Sequence, residues 1–188
     1  MIYLNDHLQD LDLPDALSRL SEQRREEALR YKHDFGQRAC AAAYLLLCEG
    51  LRKEYGISEL PLFAFGEHGK PFIVGHEDIH FNLSHCREAA ICAISNRPIG
   101  VDIESVRPYQ KSLAEYTMND SELQLIQQSP DPAMAFTRFW TMKEALQKLS
   151  GEGITNHMKA VLARSDVRFE TVESPDHRYV YSVCQNLE

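Results

Sequence analysis

The chain has 188 residues, of which 44% are hydrophobic and 26% are charged, and its formal net charge is −8 at pH 7. This composition excludes a disordered or fibrous chain, and the acidic balance argues against a general nucleic-acid binder. Met1–Leu20 lacks the apolar core of a signal peptide and no apolar run is long enough to span a bilayer, so we expect a cytoplasmic protein without a membrane partner. Five cysteines without Cys-x-x-Cys spacing predict buried thiols.

The first part of the chain is predicted to hold a short strand and a short basic helix. The strand is Met1–Leu4, and Ser21 is a good N-cap for a helix that ends near Tyr31. Six Lys and Arg residues lie between Arg19 and Arg38. A local basic patch on an acidic protein indicates a small anionic ligand or a docking surface.

A long helix is predicted next. Asp34 and Gln37 have the spacing of a capping box, an alanine- and leucine-rich run follows, and Gly56 is a C-cap candidate. Arg38 lies near the start of this helix. It is either solvated there or directed at an anion.

Three strands are predicted after a turn at Gly66–Pro71 that carries Lys70. They are Ile79–His85, Ala89–Ser95 and Ile99–Glu104, and their short connections favour an antiparallel meander. The first strand ends with Ser84 and His85, which point to opposite faces. They are therefore candidates for hydrogen bonds to a ligand and not a catalytic dyad.

The third strand has two different faces. Ile99, Val101 and Ile103 alternate with Gly100, Asp102 and Glu104. The two carboxylates lie about 6.5 Å apart along the strand, and the glycine is expected to leave open space beside them. Such a pair suits Mg²⁺, although an edge strand can also carry charge only to stay soluble.

Two further helices are predicted, Asn119–Ile126 and Ala133–Leu149, followed by short strands. The longer helix has a core stripe of Ala135, Phe139, Met142, Leu146 and Leu149. A flanking stripe carries Trp140, Glu144 and Lys148, with Lys143 beside it. Glu144 and Lys148 form either a surface pair worth about 0.3–0.5 kcal/mol or part of a covered site.

Together these motifs resemble the 4'-phosphopantetheinyl transferase superfamily, in its two-lobed, surfactin-synthetase-activating type. The resemblance rests on Gly69-Lys70-Pro71, on Phe81-Asn82-Leu83-Ser84-His85, on Ile99-Gly100-Val101-Asp102-Ile103-Glu104 and on Trp140-Thr141-Met142-Lys143-Glu144-Ala145. Four motifs in one order are far more specific than any one of them. One departure is Cys86, where the family commonly has serine.

The resemblance implies an α+β fold of two similar lobes, residues 1–98 and 99–188. Each lobe would hold an antiparallel sheet and a long helix, and a pseudo-twofold axis would relate them across a cleft that contains the active site. The implied reaction moves phosphopantetheine from coenzyme A to a serine of an apo acyl or peptidyl carrier protein and releases 3',5'-ADP. We expect a monomer.

The resemblance also implies residue roles. It assigns Mg²⁺, or Mn²⁺, to Asp102, Glu104 and Glu144, and it assigns the catalytic roles to Glu144, Asp102 and Lys143. Coenzyme A would be held by Arg38, Lys70, Ser84, His85, Lys143 and Lys148, with Arg24 or Arg25 as further candidates for its 3'-phosphate.

Two other functions remain open from sequence. One is a different Mg²⁺-dependent enzyme that transfers phosphoryl groups on nucleotides. The other is a non-catalytic module that binds coenzyme A or a carrier protein, although such a binder has no need of three carboxylates together.

Overall fold

The computed structural model describes residues 1–151 and 158–187. Its α-helices in those ranges are α1 (Leu13–Ser18), α2 (Glu22–Leu29), α3 (Asp34–Tyr55), α4 (Lys111–Thr117), α5 (Asp120–Gln128) and α6 (Pro132–Ser150). Its strands are β1 (Ile2–Asn5), β2 (Phe63–Phe65), β3 (Pro71–Ile73), β4 (His80–His85), β5 (Ala90–Ser95), β6 (Ile99–Ser105), β7 (Val167–Glu173) and β8 (Tyr179–Asn186). Short 3-10 helices lie at Leu8–Asp10 and Met158–Ala163. The predicted α+β class is confirmed.

Local sequence signals set the ends of the main helices. Ser21 caps α2 by accepting the backbone N–H three residues later at 3.4 Å, as predicted. Gly56, with φ +70°, ends α3 in the left-handed conformation that glycine adopts most easily. The predicted capping box is wrong, because α3 begins at Asp34 with His33 as its N-cap, and the Gln37 amide donates instead to a carbonyl six residues earlier.

The first layer is an antiparallel sheet in the order β1-β5-β4. The long helix α3 covers one face of it, and Leu47 of the helix belongs to the same buried cluster as Phe81 of β4 and Ile94 of β5. The short hairpin of β2 and β3 is a separate two-stranded sheet. This layer uses residues from the first half of the chain only.

The second layer is an antiparallel sheet in the order β6-β8-β7. The apolar face of β6 packs on the first sheet, where Val101 and Ile103 share a buried cluster with Ile91 and Ala93 of β5. The expected alternation of buried and functional side chains along β6 is thus present. The meander prediction is wrong for its third strand, because β6 pairs with β8 and not with β5.

Gly100 brings α6 close to β6. A Cβ atom at this position would lie 2.0 Å from the carbonyl oxygen of Ala145 and 2.6 Å from the backbone nitrogen of Leu149. The prediction that this glycine leaves open space beside the carboxylates is therefore wrong. It lets the helix backbone touch the strand, which places Glu144 and Lys148 beside the carboxylates of β6.

Helix α6 is buried on several sides and not only along the predicted core stripe. Leu146 and Leu149 of the predicted core stripe are buried, but Ala135, Phe139 and Met142 are only half-buried. The opposite sides bury Phe136, Thr141 and Lys143. The helix lies between the second sheet and α5, so a one-sided amphipathic pattern does not describe it.

The cysteines are all free thiols, as predicted, and Cys40, Cys92 and Cys184 are buried. Across residues 1–151 and 158–187, no helix combines the length and the apolar content needed to cross a membrane.

Candidate active site

A cavity of about 590 Å³ lies between the two halves of the chain. The first half contributes α2, the β2–β3 hairpin and β4, and the second half contributes β6 and α6. Its charged and imidazole-bearing lining residues are Arg24, Glu27, His68, Lys70, His85, Asp102, Glu104, Glu144 and Lys148. Three of the four predicted motifs thus supply charged side chains to one cavity, and the Phe81–His85 motif supplies Ser84 and His85.

Asp102 is at the centre of the polar network. Its Oδ1 atom accepts a hydrogen bond from Ser84 Oγ at 2.8 Å and lies 2.7 Å from Lys148 Nζ. Lys148 Nζ also donates to Ser84 Oγ at 2.9 Å. Asp102 is only 3% exposed, so the ammonium group compensates a buried negative charge.

Glu104 and Glu144 line the same cavity, and the charges of Asp102 and Lys148 act on both of them. Burial, and then the nearby charge of Asp102, raises the pKa of Glu104 to about 7. Trp140 Nε1 donates to Glu104 Oε1 at 3.3 Å. Burial and Asp102 also raise the pKa of Glu144. Burial is the larger cause of both shifts, and the charge of Asp102 adds to it.

The carboxylates do not form a closed metal centre. Among residues 1–151 and 158–187, no three His, Cys, Asp or Glu side chains are grouped closely enough to hold an ion, and Lys148 Nζ lies 2.7 Å from Asp102 Oδ1. However, Asp102 Oδ2 and Glu144 Oε1 are buried and have no hydrogen-bond partner in the described part of the chain. Buried carboxylate oxygens of this kind need a cation or a donor, and hard divalent cations bind carboxylate oxygens. The donor set therefore fits Mg²⁺ or Mn²⁺.

Lys70 reaches the cavity from the turn between β2 and β3. Its Nζ donates to the carbonyl oxygen of Leu149, near the C-terminus of α6, at 2.9 Å. Burial lowers the pKa of Lys70. A lysine from the first half thus contacts a helix of the second half across the cavity.

Arg24 and His85 form the end of the cavity near α2. The Arg24 side chain is only 10% exposed and pairs with Glu27 Oε2 at 2.7 Å, and its Nε is buried without a partner in the described residues. His85 Nε2 lies 3.3 Å from the Tyr31 hydroxyl. Burial, and then the charges of Arg24 and Lys148, lowers the pKa of His85 to about 4, so its imidazole is neutral at pH 7. Arg25 is exposed, and of the two candidate arginines it is Arg24 that lines the cavity.

Two predicted cofactor-binding cations lie outside the cavity. Arg38 donates through Nη1 to the carbonyl oxygen of Leu11 and is not among the residues that line the cavity, so its contact with coenzyme A stays a prediction. Lys143 is fully buried, lies 2.8 Å from Glu122 Oε2 and donates to the carbonyl oxygen of Met158 at 2.7 Å. Neighbours on a helix point about 100° apart, so Lys143 cannot share the direction of Glu144.

Several lining residues received no role from the sequence, among them Glu27, His68, Asn82 and Gln147. Asn82 belongs to the quoted motif and, two residues before Ser84, shares its strand face. Gln147 is three residues after Glu144 on α6, a spacing that places both on one helix face. The alternation along β4 and the spacing along α6 are signals that identify both residues.

Comparison with known proteins agrees with this site. Residues 98–184 match the family model of the 4'-phosphopantetheinyl transferase superfamily. A 4'-phosphopantetheinyl transferase of Bacillus subtilis is 28% identical over 179 residues, which cover 93% of this chain and 80% of that protein. The 4'-phosphopantetheinyl transferase psf-1 of Bacillus pumilus is 30% identical over 181 residues, 90% of this chain and 78% of the relative. The 4'-phosphopantetheinyl transferase gsp of Aneurinibacillus migulanus is 33% identical over 140 residues, 73% of this chain and 58% of the relative.

The matches extend over both halves of the chain, whereas the family model covers the segment that contains β6 and α6. Asp102, Glu104 and Glu144 thus lie inside the matched segment. This chain belongs to the 4'-phosphopantetheinyl transferase superfamily.

Proposed function

We propose that this protein transfers the 4'-phosphopantetheine group of coenzyme A to a serine of an apo acyl or peptidyl carrier protein. Its family membership and the names of its relatives support this function. The observation that carries it is the cavity between the two halves of the chain, which Asp102, Glu104 and Glu144 line together with Lys148 and Lys70. Transfer of a phosphoryl group depends mainly on positioning and on charge neutralisation, and this set of residues supplies both.

The cavity suits coenzyme A in size and charge. Its volume of about 590 Å³ lies within the usual range for small-molecule sites. Arg24, Lys70, His85 and Lys148 line it from both halves of the chain, and they would bind the phosphates of coenzyme A. Ser84 would orient Asp102 and Lys148 and not bind a phosphate itself, because its hydroxyl is hydrogen-bonded to both side chains.

The reaction breaks one bond of the pyrophosphate. The carrier serine oxygen forms a bond to the phosphorus that bears pantetheine, and the bond from this phosphorus to the oxygen of 3',5'-ADP breaks. The serine proton passes to a base, and 3',5'-ADP leaves with the bonding electrons. Asp102, Glu104 and Glu144 would hold Mg²⁺, which when bound neutralises negative charge on the pyrophosphate.

Glu144 has two possible duties in this scheme. It holds the metal, or it accepts the serine proton directly or through a water molecule. Its raised pKa makes it a stronger base than an ordinary glutamate. Its buried Oε1 atom is free for either duty, and metal affinity measured on Glu144→Gln separates them.

The same proposal extends to the architecture. Residues 1–98 and 99–188 would be two lobes related by a pseudo-twofold axis, with the cavity as the cleft between them. Each lobe contributes one three-stranded antiparallel sheet and one long helix. The protein would act as a cytoplasmic monomer.

The test is incubation of the protein with coenzyme A, Mg²⁺ and an apo carrier protein, followed by mass spectrometry of the carrier. A mass increase of one phosphopantetheine, together with release of 3',5'-ADP, supports the proposal. Nucleotide hydrolysis without carrier modification would instead indicate another phosphoryl-transfer enzyme. Coenzyme A binding without either reaction would indicate a binding module.

A further inference from the structure

The edges of the two sheets meet beside the active site. Strand β4 ends the first sheet and β6 ends the second. An edge strand leaves backbone N–H groups without a partner strand, and such groups need acceptors when they are buried. The edge of β6 that points away from β8 therefore needs acceptors from outside its own sheet.

Side chains of β4 supply these acceptors. Asn82 Oδ1 accepts the N–H of Val101 at 3.0 Å, and Ser84 Oγ accepts the N–H of Ile103 at 3.4 Å. Asn82 and Ser84 are 6% and 8% exposed. We call these two hydrogen bonds the seam contacts. They join two residues of β4, spaced two apart, to two residues of β6 with the same spacing.

The seam contacts fix the position of Asp102. This residue lies between Val101 and Ile103, so the two hydrogen bonds hold the backbone on both sides of it. A shift of β6 by one residue would move the carboxylates to the opposite face of the strand. Ser84 also contacts Asp102 directly, whereas Asn82 accepts its hydrogen bond from the backbone of β6.

We infer that Asn82 is a positioning residue for the active site, acting through the backbone of β6 to hold Asp102 and Glu104 in the cavity. The inference rests on the proposed transferase function. Asn82 also lines the cavity, so direct contact with coenzyme A is the competing explanation. The two explanations differ in what the loss of Asn82 changes: the placement of β6 in one, and the affinity for coenzyme A in the other.

The test uses Asn82→Leu, which removes the acceptor at similar volume, and Asn82→Asp, which keeps an accepting oxygen in the same place. Ile94→Val is the matched control, because Ile94 is buried in the first core and lies outside the seam contacts. Each protein is measured for amide hydrogen exchange at Val101 and for kcat and KM of carrier modification. If Asn82→Leu does not fold, Asn82→Ala replaces it.

For Asn82→Leu we expect exchange at Val101 to accelerate at least tenfold. We also expect kcat to fall by about 10²-fold, the usual effect of a displacement of about 1 Å at a reacting group. KM for coenzyme A should stay within twofold. Asn82→Asp should restore the protection of Val101, and Ile94→Val should leave kcat unchanged.

Two results would overturn the inference. One is a tenfold rise in KM for coenzyme A with Val101 protection unchanged, which would make Asn82 a substrate contact. The other is a kcat for Asn82→Leu equal to that of Ile94→Val, which would make it an ordinary structural residue. A wild-type protein that does not modify any carrier would refute the proposed function itself, and this outcome is visible before any variant is made.

Discussion

Loss of Lys148 should destabilise the protein because it leaves Asp102 charged and unpaired. The Lys148→Met variant keeps much of the apolar stem but removes the ammonium group that lies 2.7 Å from Asp102 Oδ1. Removing one partner of a buried ion pair costs about 3–5 kcal/mol. The Lys148 side chain is 30% exposed and the Asp102 side chain is only 5% exposed, so water screens part of the electrostatic loss. We expect a loss of about 2–3 kcal/mol.

This loss corresponds to a fall in Tm of roughly 4–12 °C for a chain of this size. Calorimetry and urea denaturation at pH 7 without divalent metal would measure it. Lys111→Met is the control, because its exposed pair with Glu115 should contribute no more than about 0.5 kcal/mol. The double variant Asp102→Asn with Lys148→Met should recover at least half of the loss, since no buried charge remains unpaired at Asp102.

The reasoning is refuted if Lys148→Met is no less stable than Lys111→Met. It is also refuted if the double variant is no more stable than Lys148→Met alone. In either case the buried Asp102 carboxylate would not depend on Lys148 for its stabilisation. Added Mg²⁺ should stabilise Lys148→Met more than it stabilises Lys111→Met, because loss of the ammonium group leaves Asp102 Oδ1 available to the ion. Binding of the ion to the folded state raises stability by mass action.

Three further variants test other parts of the site. Gly100→Ala should destabilise the protein by about 1–3 kcal/mol or more, because its Cβ would lie 2.0 Å from the carbonyl oxygen of Ala145. The control in urea denaturation is Gly66→Ala, whose Cβ would have no atom nearer than 3.7 Å among the described residues. His85 is neutral at pH 7 because its pKa is about 4, and a bound phosphate should raise that pKa. Coenzyme A binding should therefore take up a proton and tighten as the pH falls towards 4, a trend that calorimetry should find absent in His85→Gln. Glu144→Gln should reduce turnover by about 10²–10⁴-fold if Glu144 is the base, with Mg²⁺ affinity unchanged.

Each of these variants has a contrary outcome. Equal stability of Gly100→Ala and Gly66→Ala would show that α6 does not press on β6. An unchanged pH dependence of coenzyme A binding in His85→Gln would remove His85 from the phosphate site. Weakened Mg²⁺ binding by Glu144→Gln, with recovery of turnover at excess metal, would make Glu144 a metal ligand and not the base.

Local patterns in the sequence predicted most of the elements that carry the site. The alternation along Ile99–Glu104 predicted that its carboxylates lie on the face opposite the core. The order of the four motifs predicted that Lys70, Asp102 and Glu144 belong to one site. Short-range periodicity is enough for such predictions, because it reports which side of an element is buried. The predicted lobes and residue roles remain proposals.

Long-range contacts set the features that local patterns missed. The strand after a hairpin has no local signal that says which sheet it joins, and β6 pairs with β8, about 80 residues later. The local pattern predicts open space beside Gly100, and it does not reveal that the backbone of α6 occupies this space. Arg38 has a long, flexible side chain, and a carbonyl of Leu11 fixes its direction.

The central claim is that the cavity between the two halves of the chain is the site at which phosphopantetheine is transferred to a carrier. Mass spectrometry of an apo carrier after incubation with coenzyme A and Mg²⁺ tests it most directly, with wild-type protein and Asp102→Asn side by side. We predict that the wild type adds one phosphopantetheine to the carrier and that Asp102→Asn, as a folded protein, leaves it unmodified. Equal modification by both proteins would contradict the assigned site. An unmodified carrier with the wild type, when a known transferase modifies the same carrier, would contradict the function.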